Sequence, residues 1–259
     1  MKAQELHKLP FWETVGRSFK YVFKNKALIK AALPVIGALA GLQIIIGLPL
    51  LCSFTGGNCA MDATRLITLL SLLAASVGII INYCRTIVCK AEVDFVSLKF
   101  WKRLVFYLIA SFVLSLVILA PSFVCIFGAA LFFNAVGMGD LAVASSVLIP
   151  FIFAIVFAPL FMVFPAIAVE DYKILNFKKL FQLVKGNHNA VFWGQFLLMM
   201  PYWVLFQAFT ALYMLIGVDT YVVNLIFVII GLALGIMDAC FKGAFFAHIY
   251  QFFKFYEKE

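Results

Sequence analysis

The sequence predicts an all-α fold: a polytopic integral membrane protein of six transmembrane helices, with amphipathic helices at its cytoplasmic interface. Three observations predict it. Hydrophobic residues make up 65% of the 259 positions and charged residues 12%, about half the share usual in a soluble domain. The apolar residues fall in continuous runs of about 20 or more, the length a helix needs to cross the hydrocarbon core. They do not alternate as the strands of a membrane β-barrel do. Lysine and arginine are also distributed very unevenly between the two sides of a six-span topology.

The elements follow in order. The lead-in before the first apolar run carries Lys2, His7, Lys8, Arg17, Lys20, Lys24, Lys26 and Lys30. It is too charged to be a span and unlike a cleaved signal peptide, so it reads as cytoplasmic. Within it, residues 11–26 read as an interfacial amphipathic helix. Phe11, Val15, Phe19, Val22 and Phe23 share one face, and Arg17, Lys20 and Lys24 lie off it. Spans are expected over about 31–52, 66–84, 104–130, 142–169, 191–216 and 222–241. Spans three and four are divided at the Gly-rich "NAVGMGDLA" around Asp140, the one charge between Leu104 and Val169. Residues 173–188 form a second basic amphipathic helix, with Phe177, Leu180, Phe181 and Val184 on its face and Lys178, Lys179 and Lys185 around it. Residues 242–259 continue the sixth span as a cytoplasmic helical tail. The whole chain, 1–259, is a single membrane domain.

Charge sets the orientation. In this topology 19 of the 20 Lys and Arg residues lie on one side, with Arg65 the exception, while Asp62, Asp140 and Asp219 mark the other. By the positive-inside rule both termini are cytoplasmic, in a bacterial inner membrane. The basic helices then face anionic headgroups, where each basic residue adds about 1 kcal/mol of attraction. Arg17, Lys20, Lys24, Lys178, Lys179 and Lys185 are the headgroup candidates. The same faces also suit helices that only anchor topology. The excess charge belongs to membrane-facing segments, so nucleic acid is not an expected partner. The expected partners are the bilayer, its anionic lipids and another membrane protein.

Asp238 and Lys242 are four residues apart and share a helix face. About 20 residues from Val222 the sixth span reaches its inner boundary near Cys240. The two form a candidate ion pair at that interface, or a functional pair inside the membrane. Cys52 and Cys59 flank the outer loop "SFTGGN" and are a candidate disulfide, whereas Cys84, Cys89, Cys125 and Cys240 read as free thiols. Seven of the eight prolines lie in or at the spans and can kink them.

No catalytic or metal motif occurs. The carboxylate pairs Glu92/Asp94 and Glu170/Asp171 read as solvated helix ends, with cation binding the sharper alternative. The polar residues expected at midspan are Gln43, Ser111, Ser115, Gln195, Gln207 and Thr210, and no cofactor is expected.

The segments before spans one and five align at an offset of 162, pairing Phe19 with Phe181, Val22 with Val184 and Asn25 with Asn187. With "VSLKFWKRLV" before span three, they suit three parallel repeat units, although any basic interfacial helix looks similar. The stretch "FPAIAVEDYKILNFKKLFQLVKGNHNAVFWGQFLL" runs from a Pro-ended span through an acidic turn and a basic helix ending Lys-Gly-Asn into a new span. With "FKYVFKNKALIKAALPVIG", it resembles the membrane domain attached to some bacterial glycerophosphodiester phosphodiesterases and its stand-alone six-helix relatives. That resemblance implies the architecture and a link to envelope or lipid biology. The catalytic barrel is missing, so no activity carries over. The functional expectation is a non-enzymatic membrane protein of envelope or lipid homeostasis, accessory subunits included. The alternative is a small transporter or permease that uses the Pro-kinked helices.

Overall fold

The computed structural model describes residues 8–25, 63–216 and 221–257, with positions 30, 33, 34, 37, 38 and 41 between them. The expected first span, over 31–52, falls mostly outside these residues, and the Cys52–Cys59 pair falls wholly outside. Every regular element among the described residues is helical. We label them α1 (Phe11–Lys24), α2 (Ala63–Cys89), α3 (Leu98–Ala135), α4 (Gly139–Val156), α5 (Val163–Ala168), α6 (Phe177–Leu183), α7 (His188–Ile216) and α8 (Tyr221–Glu257). Short 3-10 turns, Ala158–Met162 and Tyr172–Ile174, flank α5.

Five of these helices contain segments long and apolar enough to cross a membrane: Leu70–Cys89, Leu98–Ala135, Gly139–Val156, His188–Ile216 and Leu225–Lys254. Their outward faces are apolar. Phe112, Leu119, Phe123 and Val124 on α3, Val143 on α4 and Trp203 and Leu215 on α7 are all more than half exposed. In water such a surface would aggregate, and in lipid it is the favoured exterior. These are the features of a multi-pass membrane protein.

The core sits at one end. The C-terminal half of α8 runs through its centre, with Ala239, Cys240, Ala244, Phe245, Ala247, Ile249 and Tyr250 buried. Its main partner is α2, through Val77, Ile80, Ile81, Tyr83 and Cys84. The segment expected as a cytoplasmic tail is therefore the innermost helix of the bundle. Helical continuity past residue 241 was readable from the sequence, but its burial was not.

The fourth expected span, 142–169, is not one helix. α4 stops at Val156, and the chain tightens into the Ala158–Met162 turn before α5 begins. Pro159 has no N–H to donate back along the helix, and the Leu160 N–H instead reaches the Phe157 carbonyl at 2.9 Å, a 3-10 bond. The break separates two environments. α4 is largely exposed, while Ala158, Leu160, Met162, Ala166 and Ala168 are fully buried. Pro121, Pro150 and Pro201 are accommodated inside α3, α4 and α7.

"VSLKFWKRLV" does not make a separate helix. Ser97 caps α3, accepting the Phe100 N–H at 3.1 Å, and the helix runs on unbroken to Ala135. At 38 residues α3 is about 57 Å long, roughly twice the hydrocarbon thickness, so its basic first turns have room to lie beyond the apolar slab. Two of the three pairs at offset 162 have similar surroundings: Val22 and Val184 are both 0% exposed, and Phe19 and Phe181 are both half-buried, whereas half-buried Asn25 bonds Tyr21 on its own helix and buried Asn187 accepts from the distant Leu9 N–H. The two helices differ in length, 14 residues for α1 against 7 for α6.

Glycine sets the closest contacts. A Cβ on Gly243 of α8 would lie 2.7 Å from the Tyr83 Cβ and 3.0 Å from the Ile80 Cα, and one on Gly194 of α7 would lie 1.9 Å from a Phe245 ring carbon. Small residues let membrane helices approach to backbone contact. Gly128 on α3 has nothing within 4 Å of its Cβ position. Gly243→Val should therefore destabilise the protein by about 1–3 kcal/mol and lower the unfolding temperature in detergent. Gly128→Ala should leave that temperature unchanged or raise it, since alanine favours a helix by about 1 kcal/mol over glycine.

Candidate functional site

The basic end of the bundle carries an open groove of about 1220 Å³. Four pieces of chain form its walls: Pro10, Thr14 and Arg17 at the start of α1; Val88 and Cys89 at the end of α2; Val169–Lys173 after α5; and His248 to Lys254 on α8. Each piece is fixed by a polar contact distant in sequence. The Leu9 N–H donates to Asn187 Oδ1 at 2.7 Å and ties the start of α1 to the start of α7. The Gln251 amide donates to the Ile87 carbonyl at 2.7 Å and ties α8 to the end of α2. Asp171 accepts from the Tyr250 hydroxyl at 2.7 Å and pairs with Lys254 at 2.5 Å.

Glu170 and Asp171 are presented by a Schellman turn. The Glu170 N–H reaches the Ile167 carbonyl at 3.1 Å and the Asp171 N–H reaches the Ala166 carbonyl at 2.8 Å. Glycine usually holds the left-handed position of this turn, and here Glu170 does, with φ 61°. A side chain in that conformation costs about 1–2 kcal/mol. The Glu170 carboxylate offsets part of that cost by accepting from Arg103 Nε at 2.7 Å, where the Arg103 side chain is 4% exposed and that of Glu170 is 46% exposed. One face of Glu170 thus neutralises a buried guanidinium while the rest opens onto the groove.

The other carboxylate pair behaves differently. Asn82, buried in α2, donates to the Asp94 carbonyl at 2.9 Å and accepts the Asp94 N–H at 2.8 Å. Asp94 Oδ1 accepts the Ser97 N–H at 2.9 Å, and its Oδ2 accepts from the Ser97 hydroxyl. These bonds, the hydroxyl's first, hold the Asp94 carboxyl below its ordinary range. Asp94 therefore orders the α2–α3 turn. Among the described residues no three of His, Cys, Asp and Glu are grouped so as to hold a metal ion.

The sequence candidates fall in several places. Arg17 lines the groove and is paired with Glu13. Lys20, Lys24, Lys178, Lys179 and Lys185 are exposed around the basic end, with Lys179 Nζ on the Lys173 carbonyl at 3.2 Å. The apolar face of α1 packs on the protein rather than being left free. Thr14, Val15, Ser18 and Val22 are buried, and the Phe19 ring lies 4.5 Å from that of Phe241 on α8. Trp12 and Phe23 remain outward. Cys84, Cys89, Cys125 and Cys240 are free thiols.

Asp238 and Lys242 touch at 2.5 Å, with side chains 12% and 24% exposed, and Asp238 Oδ1 is buried without a partner. The pair lies between helices, apart from the groove. The midspan polar residues are not brought together. Ser115 and Thr210 bond carbonyls of their own helices, Gln207 faces outward, and the Gln195 amide is buried with an unpartnered nitrogen. Gln43 lies outside the described residues.

The sequence reading missed the cross-links. Asn82 could have been noticed as the lone polar side chain of "GIIINYC", and Asn187 as the residue after the turn glycine, Gly186, at φ 80°. Nothing local marks Arg103 as the partner of Glu170, or Lys254 as that of Asp171. No protein family, curated protein or solved structure matches the chain.

Two predictions follow from these contacts. Burial works against the ionised form of Asp171, but the bonds from Lys254 and Tyr250 outweigh it and hold the carboxyl below its ordinary 3.8. The resulting stabilisation is complete above that unfolded-chain value and is lost as pH falls through the lower folded one. Thermal melts from pH 6 to pH 3 should show an acid-side loss of stability that is smaller in Asp171→Asn. For the membrane pair, Asp238→Ala should destabilise by about 3 kcal/mol, because it leaves Lys242 largely buried and unpaired, whereas Asp238→Leu with Lys242→Met should come close to wild type. Chemical unfolding in detergent measures both.

Proposed function

We propose that the chain is a non-enzymatic inner-membrane protein of envelope or lipid homeostasis, with an accessory-subunit role, that binds anionic lipid at its cytoplasmic face. In this reading six spans cross the membrane, both termini are cytoplasmic, and the basic end lies at the headgroups. The observation that carries it is the set of exposed lysines on the two short basic helices, Lys20 and Lys24 on α1 and Lys178, Lys179 and Lys185 on and just after α6, both of which pack against the rest of the bundle. Cations held at that level meet an anionic leaflet directly. The likeness of the segment from Phe164 onward to phosphodiesterase-associated membrane domains belongs to the same proposal and rests on its order of elements alone.

A second reading, a small transporter, draws on the buried, unpartnered Oδ1 of Asp238 in a helix apolar enough to span. The groove does not favour it, since Asp238, Gln195 and Gln207 are not among its walls.

The test replaces Lys178, Lys179 and Lys185 together by Gln. Three lysines at about 1 kcal/mol each predict a roughly 100-fold weaker hold on phosphatidylglycerol at low salt, measured as lipid retained on the purified protein during delipidation. The difference should shrink as salt rises. Equal retention by variant and wild type would sink the proposal.

A further inference from the structure

The groove differs in charge from the exposed lysines of α1 and α6. Those side chains are all cationic, whereas the groove wall carries three cations, Arg17, Lys173 and Lys254, and two carboxylates, Glu170 and Asp171. A nearly balanced wall does not select the most negative ligand, because its carboxylates repel a second anion. It does not suit a metal cation either, since among the described residues no three of His, Cys, Asp and Glu are grouped to hold one, and Asp171 is already held by Lys254 and Tyr250. Two charges remain for a ligand. Among the described residues the exposed Lys173 ammonium has no ion partner, and the half-exposed Glu170 carboxylate bonds Arg103 through Oε1 and leaves Oε2 open. They are three residues apart, joined by the Schellman turn and the Tyr172–Ile174 turn, which fix the backbone between them.

We propose that the groove holds a ligand bearing a phosphate diester and an ammonium on one short chain, the headgroup chemistry of a zwitterionic phospholipid. Lys173 takes the phosphate, and Glu170 takes the ammonium. The size fits: about 1220 Å³ is far more than an inorganic phosphate fills and lies somewhat above the range of about 300–1,000 Å³ for pockets that hold a small organic ligand, leaving room for part of a lipid beyond its headgroup. The surroundings fit a lipid. Trp12, 74% exposed, follows the groove residue Pro10 by two positions on α1, and Tyr172 and Phe252 lie in the wall, an aromatic setting typical of the headgroup level. The strained backbone at Glu170 has a use here, because a glycine would relieve the turn and remove the carboxylate. The proposal rests on the lipid-facing placement of the basic end, but it assigns a different lipid to a different set of residues.

The test titrates the full-length protein in detergent with short-chain phosphatidylethanolamine, short-chain phosphatidylglycerol and free phosphoethanolamine. Wild type should bind the ethanolamine lipid at least 5-fold more tightly than phosphatidylglycerol in this saturable site. Lys173→Gln, an exposed change that leaves the core intact, should weaken the ethanolamine lipid about 10-fold. Glu170→Gln, whose amide oxygen can still accept from Arg103, should abolish the preference between the two lipids. Replacing only Lys178 and Lys185 by Gln, which leaves Lys179 on the Lys173 carbonyl, should weaken phosphatidylglycerol retention but leave ethanolamine-lipid affinity unchanged, so loss of the surface-lysine effect and loss of the groove effect are read separately. Free phosphoethanolamine should compete at least 10-fold less well than the lipid, and equal competition would overturn the lipid source in favour of a soluble phosphate compound. Ethanolamine-lipid binding that is unaffected by Lys173→Gln, or no tighter than that of phosphatidylglycerol, would overturn the groove proposal itself.

Discussion

Where α2 and α8 cross, Gly243 brings the two backbones to contact distance, and the Cys84 thiol donates to the Gly243 carbonyl at 3.5 Å. Much of what holds the basic end together is arranged around this crossing. It buries the C-terminal half of α8, and that helix then becomes the surface on which α1, α5 and α7 dock. In lipid the driving force for such contact is packing, because hydrocarbon is as apolar as the side chains themselves. A glycine at the crossing therefore does more than a larger apolar residue could.

The polar contacts fit the same frame. The long-range bonds through Asn82, Arg103, Asp171, Asn187 and Gln251 all lie at the end where α2 finishes, α3 and α7 begin and the last turns of α8 pass. A polar group in hydrocarbon has no solvent partner to fall back on. Cross-links that would be costly along the spans are thus gathered where helices end and backbone groups are already unpaired. That concentration gives the basic end its defined groove, while the α3–α4 hairpin is largely exposed and its two helices pack chiefly on each other.

In the proposed reading the groove and the exposed lysines of α1 and α6 divide the electrostatic work between them. The lysines are solvated and additive, so they favour any anionic surface. The groove is set in fixed backbone, with opposite charges a few residues apart, and the proposed discrimination between headgroups rests on that arrangement. The strained turn at Glu170 is tolerated because the side chain there supplies an acceptor to Arg103, buried beneath it.

The sequence by itself determined the helical class, the length of the apolar runs, the clustering of basic charge and the helical spacing that lets Asp238 meet Lys242. Each depends on composition or on contacts within four residues, and local periodicity carries that information. Only the tertiary structure decided that the expected span over 142–169 divides at Pro159, that the expected tail of α8 is the centre of the core, and that α1 spends its apolar face on protein. It alone paired Arg103 with Glu170 across 67 positions and Asp171 with Lys254 and Tyr250. The reason is physical. In a chain this apolar nearly every helix face is hydrophobic, so the pattern cannot say which faces meet lipid and which meet protein. That choice depends on where small residues permit close approach and where buried polar groups find partners.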